Sequence, residues 1–152
     1  MKEFIIIIIA AVILITLISF IIKYYENNRE NTIKNKTIDL LNKYGKTFYE
    51  NKKYYFLYKK RTYELYFQYV QARKELSINN ETTWQIYGNP STLINQERLA
   101  KNNKYKIVVI YPNEERIKRY INESEVEFVD FQLTYTYYVI NFNSLEDFIK
   151  SL

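Results

Sequence analysis

Cysteine and histidine are both absent from the chain. Without thiols there can be no disulfide, no thiolate metal centre, no thioether attachment of haem and no lipoprotein acyl anchor. Without imidazole the commonest ligand for zinc, copper and non-haem iron is missing, and so is the usual general base near neutral pH. A Ser-His-Asp or Cys-His centre is therefore impossible. Glycine and proline occur twice each. Two glycines cannot build most phosphate cradles, and no Walker A loop, GxGxxG or EF-hand loop is present. A serine-lysine pair is formally open, but the serines fall in loops or caps, and Ser144 is better explained as a helix cap. The neighbouring carboxylates Glu114 and Glu115, and Glu123, Glu125 and Glu127, fit solvated positions at a helix start or on an outer strand face. The composition thus implies no enzyme, no catalytic residue, no cofactor and no metal site.

What the chain does have is one long apolar run. Residues 4–22, FIIIIIAAVILITLISFII, hold no charge, proline or glycine. At about 1.5 Å rise per residue, such a run in helical form covers the roughly 30 Å hydrocarbon core of a bilayer. Its only polar side chains, Thr16 and Ser19, can bond back to a carbonyl one turn earlier, so a helix here satisfies its own backbone in lipid. Lys23 can snorkel, and Tyr24 and Tyr25 suit the headgroup layer, which makes these three the membrane-interface residues. The run exceeds a signal-peptide core and lacks a small-residue cleavage pattern, so we read it as uncleaved. A literal count of flanking cations favours a cytoplasmic C-terminal part. A short basic tail before a long apolar run is nevertheless how a signal-anchor begins, and we place the C-terminal part outside the cytoplasm.

Charge is unevenly spread. Residues 23–76 carry 13 Lys/Arg against 6 Asp/Glu, and residues 77–152 carry 8 against 10. The 17 tyrosines accompany heavy use of Ile, Asn and Lys, a pattern that AT-rich coding produces by itself, so no single tyrosine is promoted to a site on frequency. The remaining apolar content is enough for one folded domain.

Three segments follow from this: an anchor over 1–23, a basic juxtamembrane helical segment over 24–76, and a small α+β module over 77–152, with 24–152 one folded unit. The expected fold is a transmembrane helix, a long juxtamembrane helix, then one mixed or antiparallel sheet with short helices packed on it. Leu41, Tyr44, Phe48, Tyr55, Tyr58, Leu65, Tyr69, Ala72 and Leu76 recur in steps of three and four, a coiled-coil-like seam that could pair two copies or pack on the protein's own sheet. A rival pattern exists over 54–70, where Tyr63, Leu65, Phe67 and Tyr69 alternate with polar residues and Lys59-Lys60-Arg61 would be the turn. Helix is preferred because no Gly, Asn or Asp occupies that turn.

Further on, 83–87 (TWQIY) reads as a strand and 90–101 as a helix begun by Asn89-Pro90. Residues 105–111 (YKIVVIY) read as a strand buried on both faces. A short helix is expected after Asn113, and one strand or a hairpin over 125–142 with a bulge near Phe128 and Val129. A last helix follows from Ser144.

Lys52, Lys53, Lys59, Lys60 and Arg61 interleave with aromatics (KKYYFLYKKR), a candidate contact patch for nucleic acid or anionic lipid. Nucleic acid is the weakest of these partners. By elimination the expected role is structural or scaffolding: a single-pass membrane protein whose domain engages other envelope or membrane proteins. Two alternatives stand beside it. One is a tethered small-molecule or peptide binding module with a pocket lined by Trp84, Phe131 and neighbouring tyrosines. The other is a cytoplasmic-facing basic domain touching nucleic acid or anionic lipid. In layout alone, without a shared motif, the order of segments is similar to that of inner-membrane alignment proteins of type IV pili and type II secretion, or of the membrane-tethered modules of conjugation and division machines.

Overall fold

The computed structural model describes residues 2–102, 104–113, 115–122 and 124–152, with the side chains of residues 2–8 and 10 outside the description. The chain divides into two compact units, Met1–Asn35 and Lys36–Leu152. The described residues of the first unit are helical and belong to helix α1, Lys2–Leu41. Thr16 and Ser19 bond back to the carbonyls of Ile13 and Ile15 at 2.8 and 2.9 Å, as a helix in an apolar setting requires. Part of the apolar run, residues 4–8 and 10, lies outside the described side chains. Among the described residues no helix is long and apolar enough to cross a membrane.

The second unit is an α+β body with two mixed five-stranded sheets. In chain order the strands are β1 Lys46–Glu50, β2 Lys53–Tyr58, β3 Arg61–Val70, β4 Glu75–Ile78, β5 Thr83–Tyr87, β6 Thr92–Asn95, β7 Lys106–Pro112, β8 Ile117–Tyr120, β9 Val126–Val129 and β10 Tyr137–Asn141. A short helix α2, Glu97–Ala100, follows β6, and α3, Leu145–Ser151, closes the chain. The first sheet runs β1-β2-β3-β7-β10 and the second β6-β5-β4-β8-β9.

Three layers result. On one face of the first sheet, Phe56, Tyr63, Leu65, Ile107, Val109 and Ile140 pack against Leu41 at the end of α1 and against Leu145, Phe148 and Ile149 of α3. On its other face, Val108, Ile110, Tyr137 and Val139 meet Leu76, Ile78, Trp84 and Ile117 of the second sheet. Strand β7 therefore sits between two cores, with Ile107, Val108, Val109 and Ile110 all fully buried. A run of consecutive branched apolar residues is what such a position demands, and the expected strand is found.

Several expectations are corrected. Helix α1 stops at Leu41, and residues 46–70 form β1, β2 and β3. The three-and-four seam of 41–76 therefore has no helix to carry it: Tyr44 falls in the turn before β1, and Tyr55 lies on the opposite sheet face from Tyr58 and Tyr69. The rival alternation over 54–70 was the governing pattern: β2 and β3 are an antiparallel hairpin with Tyr58 opposite Arg61. There are two sheets where one was expected, because β4 pairs β8 across a long sequence separation. In place of a helix over 90–101, β6 pairs with β5, Trp84 facing Ile94, and only α2 remains helical. In place of a helix after Asn113, β8 pairs with β9, where Arg119 and Glu127 make a 3.1 Å ion pair. The phase break near Phe128 and Val129 marks no bulge. Strand β9 ends at Val129, and β10 begins in the other sheet.

The passage from α1 into β1 is tight. Gly45 donates to the Leu41 carbonyl at 3.0 Å, and a Cβ at Gly45 would stand 2.4 Å from the Leu57 carbonyl oxygen and 2.8 Å from the Phe56 ring. Both obstacles belong to a paired strand and a buried ring, so neither can yield cheaply. Gly45→Ala is expected to cost about 1–3 kcal/mol of unfolding free energy, read by chemical denaturation.

Candidate functional site

The sequence patch does not survive as one cluster. The β1–β2 and β2–β3 hairpins close through two-residue turns, Asn51-Lys52 and Lys59-Lys60, with φ of 50°, 61°, 45° and 66°. These turns stand at opposite ends of β2. Lys52 and Lys53 go with the first, and Lys59, Lys60 and Arg61 with the second. Lys53 is also committed, bonding the buried Glu64 at 2.6 Å.

The second turn has company that the sequence did not announce. Lys46 begins β1 opposite Leu57, and directly opposed residues share a sheet face. Lys104, just before β7, holds its ammonium 5.6 Å from the centre of the Tyr55 ring. Tyr55 and Leu57 are two apart on β2, so both cations lie on the face away from α3. On the opposite face, Lys59 stands 5.0 Å over Tyr58 and Arg61 5.8 Å over Tyr105. With Lys60 at the turn tip, five cations wrap one end of the first sheet. Three inter-strand steps of about 4.8 Å separate β1 from β7, so this rim is roughly 14 Å wide. Among the described residues none of the five makes an ion pair, whereas Lys34, Lys53, Lys118, Arg119 and Lys150 each have an acidic partner within 4 Å.

Lysine is an awkward tenant of a turn in which both central residues need positive φ; Asn-Gly is the natural choice. An L-residue with a Cβ in the left-handed region costs on the order of 1 kcal/mol. The double substitution Lys59→Asn, Lys60→Gly is therefore expected to stabilise the body by about 1 kcal/mol, seen as a raised denaturation midpoint.

Beneath the rim lies a buried charged layer. Glu64 and Lys106 are register partners on β3 and β7 and are 1% and 0% exposed. The Glu64 carboxylate accepts from Lys53 at 2.6 Å, from the Tyr66 hydroxyl at 2.5 Å and from the Asn102 amide at 3.5 Å. The Lys106 ammonium donates to the carbonyls of Asn102 and Lys104, both at 2.8 Å. The two charges thus pin the segment that carries Lys104. Burial pushes the Glu64 carboxyl up, but the Lys53 ammonium and the hydrogen bonds outweigh it and the net displacement is below the ordinary value. Burial lowers Lys106, against the opposing pull of Glu64 and Glu81. The Tyr66 hydroxyl is raised by burial and by Glu64.

The other expected sites fall elsewhere. Lys23, Tyr24 and Tyr25 lie on α1, with the two rings exposed and 6.0 Å apart edge to face. Trp84 and Phe131 cannot line a shared pocket. Trp84 is fully buried in the core between the sheets, donating to the Tyr137 hydroxyl at 3.3 Å. Phe131 packs on Phe148, on the other side of the first sheet. An open groove of about 540 Å³ runs between Lys36, Asp39, Leu40 and Lys43 of the α1 end and Phe142, Asn143 and Glu146. Glu146 of this groove accepts from the Tyr44 hydroxyl at 2.6 Å, which raises the tyrosine and lowers the carboxyl. Among the described residues no three Asp or Glu side chains gather closely enough to hold a metal ion.

No protein-family model, curated protein or solved structure matches the chain.

Proposed function

We propose that the chain is a single-pass membrane protein, tethered through residues 4–22, whose α+β body serves as a non-catalytic interaction module for protein partners of an envelope-associated assembly. The observation that carries this is on α1. Ile9, Val12, Ile13, Leu14, Ile15, Leu17, Ile18, Phe20, Ile21 and Ile22 are each 48–71% exposed, and together they cover every side of the helix. An apolar girdle with no polar face suits lipid on all sides and is unfavourable in water. The continuation of the same composition back to Phe4 in the sequence supplies the length. Lys23, Tyr24 and Tyr25 then fall where a water interface would lie. With neither His nor Cys and with its buried Glu64 and Lys106 employed in holding a loop, the body offers surfaces for contact more than a reaction centre.

The test is fractionation with topology. Full-length protein should stay with membranes through an alkaline wash and leave only with detergent, and a variant lacking residues 1–22 should appear in the supernatant. A C-terminal tag should be lost when protease is added to intact spheroplasts. Full-length protein recovered free without detergent would overturn the tether. A tag that survives until lysis would reverse the orientation in favour of a cytoplasmic basic domain.

A further inference from the structure

We infer that the rim formed by Lys46, Lys59, Lys60, Arg61 and Lys104 docks a carboxylate-rich segment of a partner protein; this rests on the interaction-module function and names the chemistry of the partner. Three observations converge on it. The five cations come from β1, the β2–β3 turn, the start of β3 and the approach to β7, and none is neutralised by an acid among the described residues, while five other cations of the chain are. Crowding like charges costs free energy that an anionic partner returns. Two of the lysines occupy left-handed backbone positions, φ 45° and 66°, where a shape-only turn would carry Asn-Gly. The segment bearing Lys104 is held from below by buried Glu64 and Lys106, so its charge is presented from a fixed support.

The geometry also selects among anions. A single-stranded nucleic acid needs open ring faces to stack on. Here Tyr55 and Tyr63 are 8% and 2% exposed, and the rings of Tyr58 and Tyr105 already sit under Lys59 and Arg61. A lipid headgroup layer is planar, whereas these cations lie on both faces of the sheet end: Lys46 and Lys104 on one side, Lys59 and Arg61 on the other. A polypeptide bearing several Asp or Glu residues can follow that curved path. Four of the five cations are lysines, point charges that suit flexible pairing with successive carboxylates more than one planar, bidentate contact.

The experiment uses the full chain in nanodiscs of neutral phosphatidylcholine, with amide hydrogen exchange over residues 57–62 and 104–106 and fluorescence anisotropy as readouts. A 20-residue poly-glutamate peptide should protect those amides at low salt, with binding that weakens as salt rises. The triple variant Lys59→Asn, Lys60→Gly, Arg61→Gln should bind it at least about tenfold more weakly, without loss of fold since its turn is relieved of strain. Lys52→Asn, at the far turn, should bind like the parent. Equal binding by the triple variant and the parent would overturn the proposal. So would stronger protection by an oligothymidylate of equal charge, which points to nucleic acid, or protection by phosphatidylglycerol in the disc without peptide, which points to lipid. Failure of the tether itself would register separately, as protein recovered outside the discs.

Discussion

Glu64→Leu lowers the unfolding free energy of the body by about 3–5 kcal/mol, the usual consequence of stripping one member from a buried charge pair. The reason lies in what remains. Lys106 is fully buried, and without the opposing carboxylate its ammonium keeps, among the described residues, the carbonyls of Asn102 and Lys104. Lys53 is less affected because its side chain is 43% exposed and can return to water. Adding Lys106→Met to Glu64→Leu should recover most of the loss, since two apolar side chains on neighbouring strands need no counter-charge; the coupling is read from a double-mutant cycle by chemical denaturation. The pH dependence follows from the direction of the shift. The Glu64 carboxyl titrates below its ordinary 4.5 in the folded body. Its stabilisation is therefore complete above that value and is lost as pH falls through the depressed folded pKa. The parent's stability should drop across that acid window by more than the drop seen in Glu64→Leu. If both fall in parallel, other carboxylates govern acid unfolding.

This pair shows where the sequence stops informing. Glu64 and Lys106 are ordinary surface residues by type, and only the β3–β7 register sets them opposite one another in a layer closed by Asn102. Elements whose composition already matched their surroundings were legible. Strand β7 carries four consecutive branched apolar side chains and lies between two cores, and α3 carries an apolar stripe onto one of them. The hairpin of β2 and β3 was written in the alternation of Tyr63, Leu65, Phe67 and Tyr69. A competing three-and-four pattern also ran through Leu65 and Tyr69, and the absence of Gly, Asn or Asp at the turn argued for helix. Left-handed Lys59 and Lys60 override that turn chemistry, and their strain is invisible in a string of letters. The rim was half visible for a related reason. Lys59, Lys60 and Arg61 are contiguous, whereas Lys46 and Lys104 join them only through strand order, and Lys52 and Lys53 leave because β2 is extended. Had 52–61 been helical, its cations would have been drawn together within about 15 Å along the axis.

Trp84→Ala should cost about 3–5 kcal/mol and report how the two sheets depend on each other. Trp84 is fully buried in the core between the sheets, its ring 5.7 Å from that of Tyr137 and its indole N–H bonded to the Tyr137 hydroxyl. Tyr137 belongs to the first sheet and Trp84 to the second, and Tyr137 also donates to the Glu81 carbonyl at 3.1 Å. Truncation at Trp84 therefore opens a cavity and strips a buried hydroxyl of one partner, at the seam where the second sheet is held. If the body unfolds as one cooperative unit, amides of β5 and β10 should lose exchange protection by the same free energy, although they lie in different sheets. If the second sheet is a separate foldon, β5 should lose protection while β7 and β10, braced on their other face by α3, keep most of theirs. Tyr137→Phe separates the two contributions: it keeps the ring and removes the hydroxyl, leaving the Trp84 N–H buried without an acceptor, and is expected to cost about 1–3 kcal/mol.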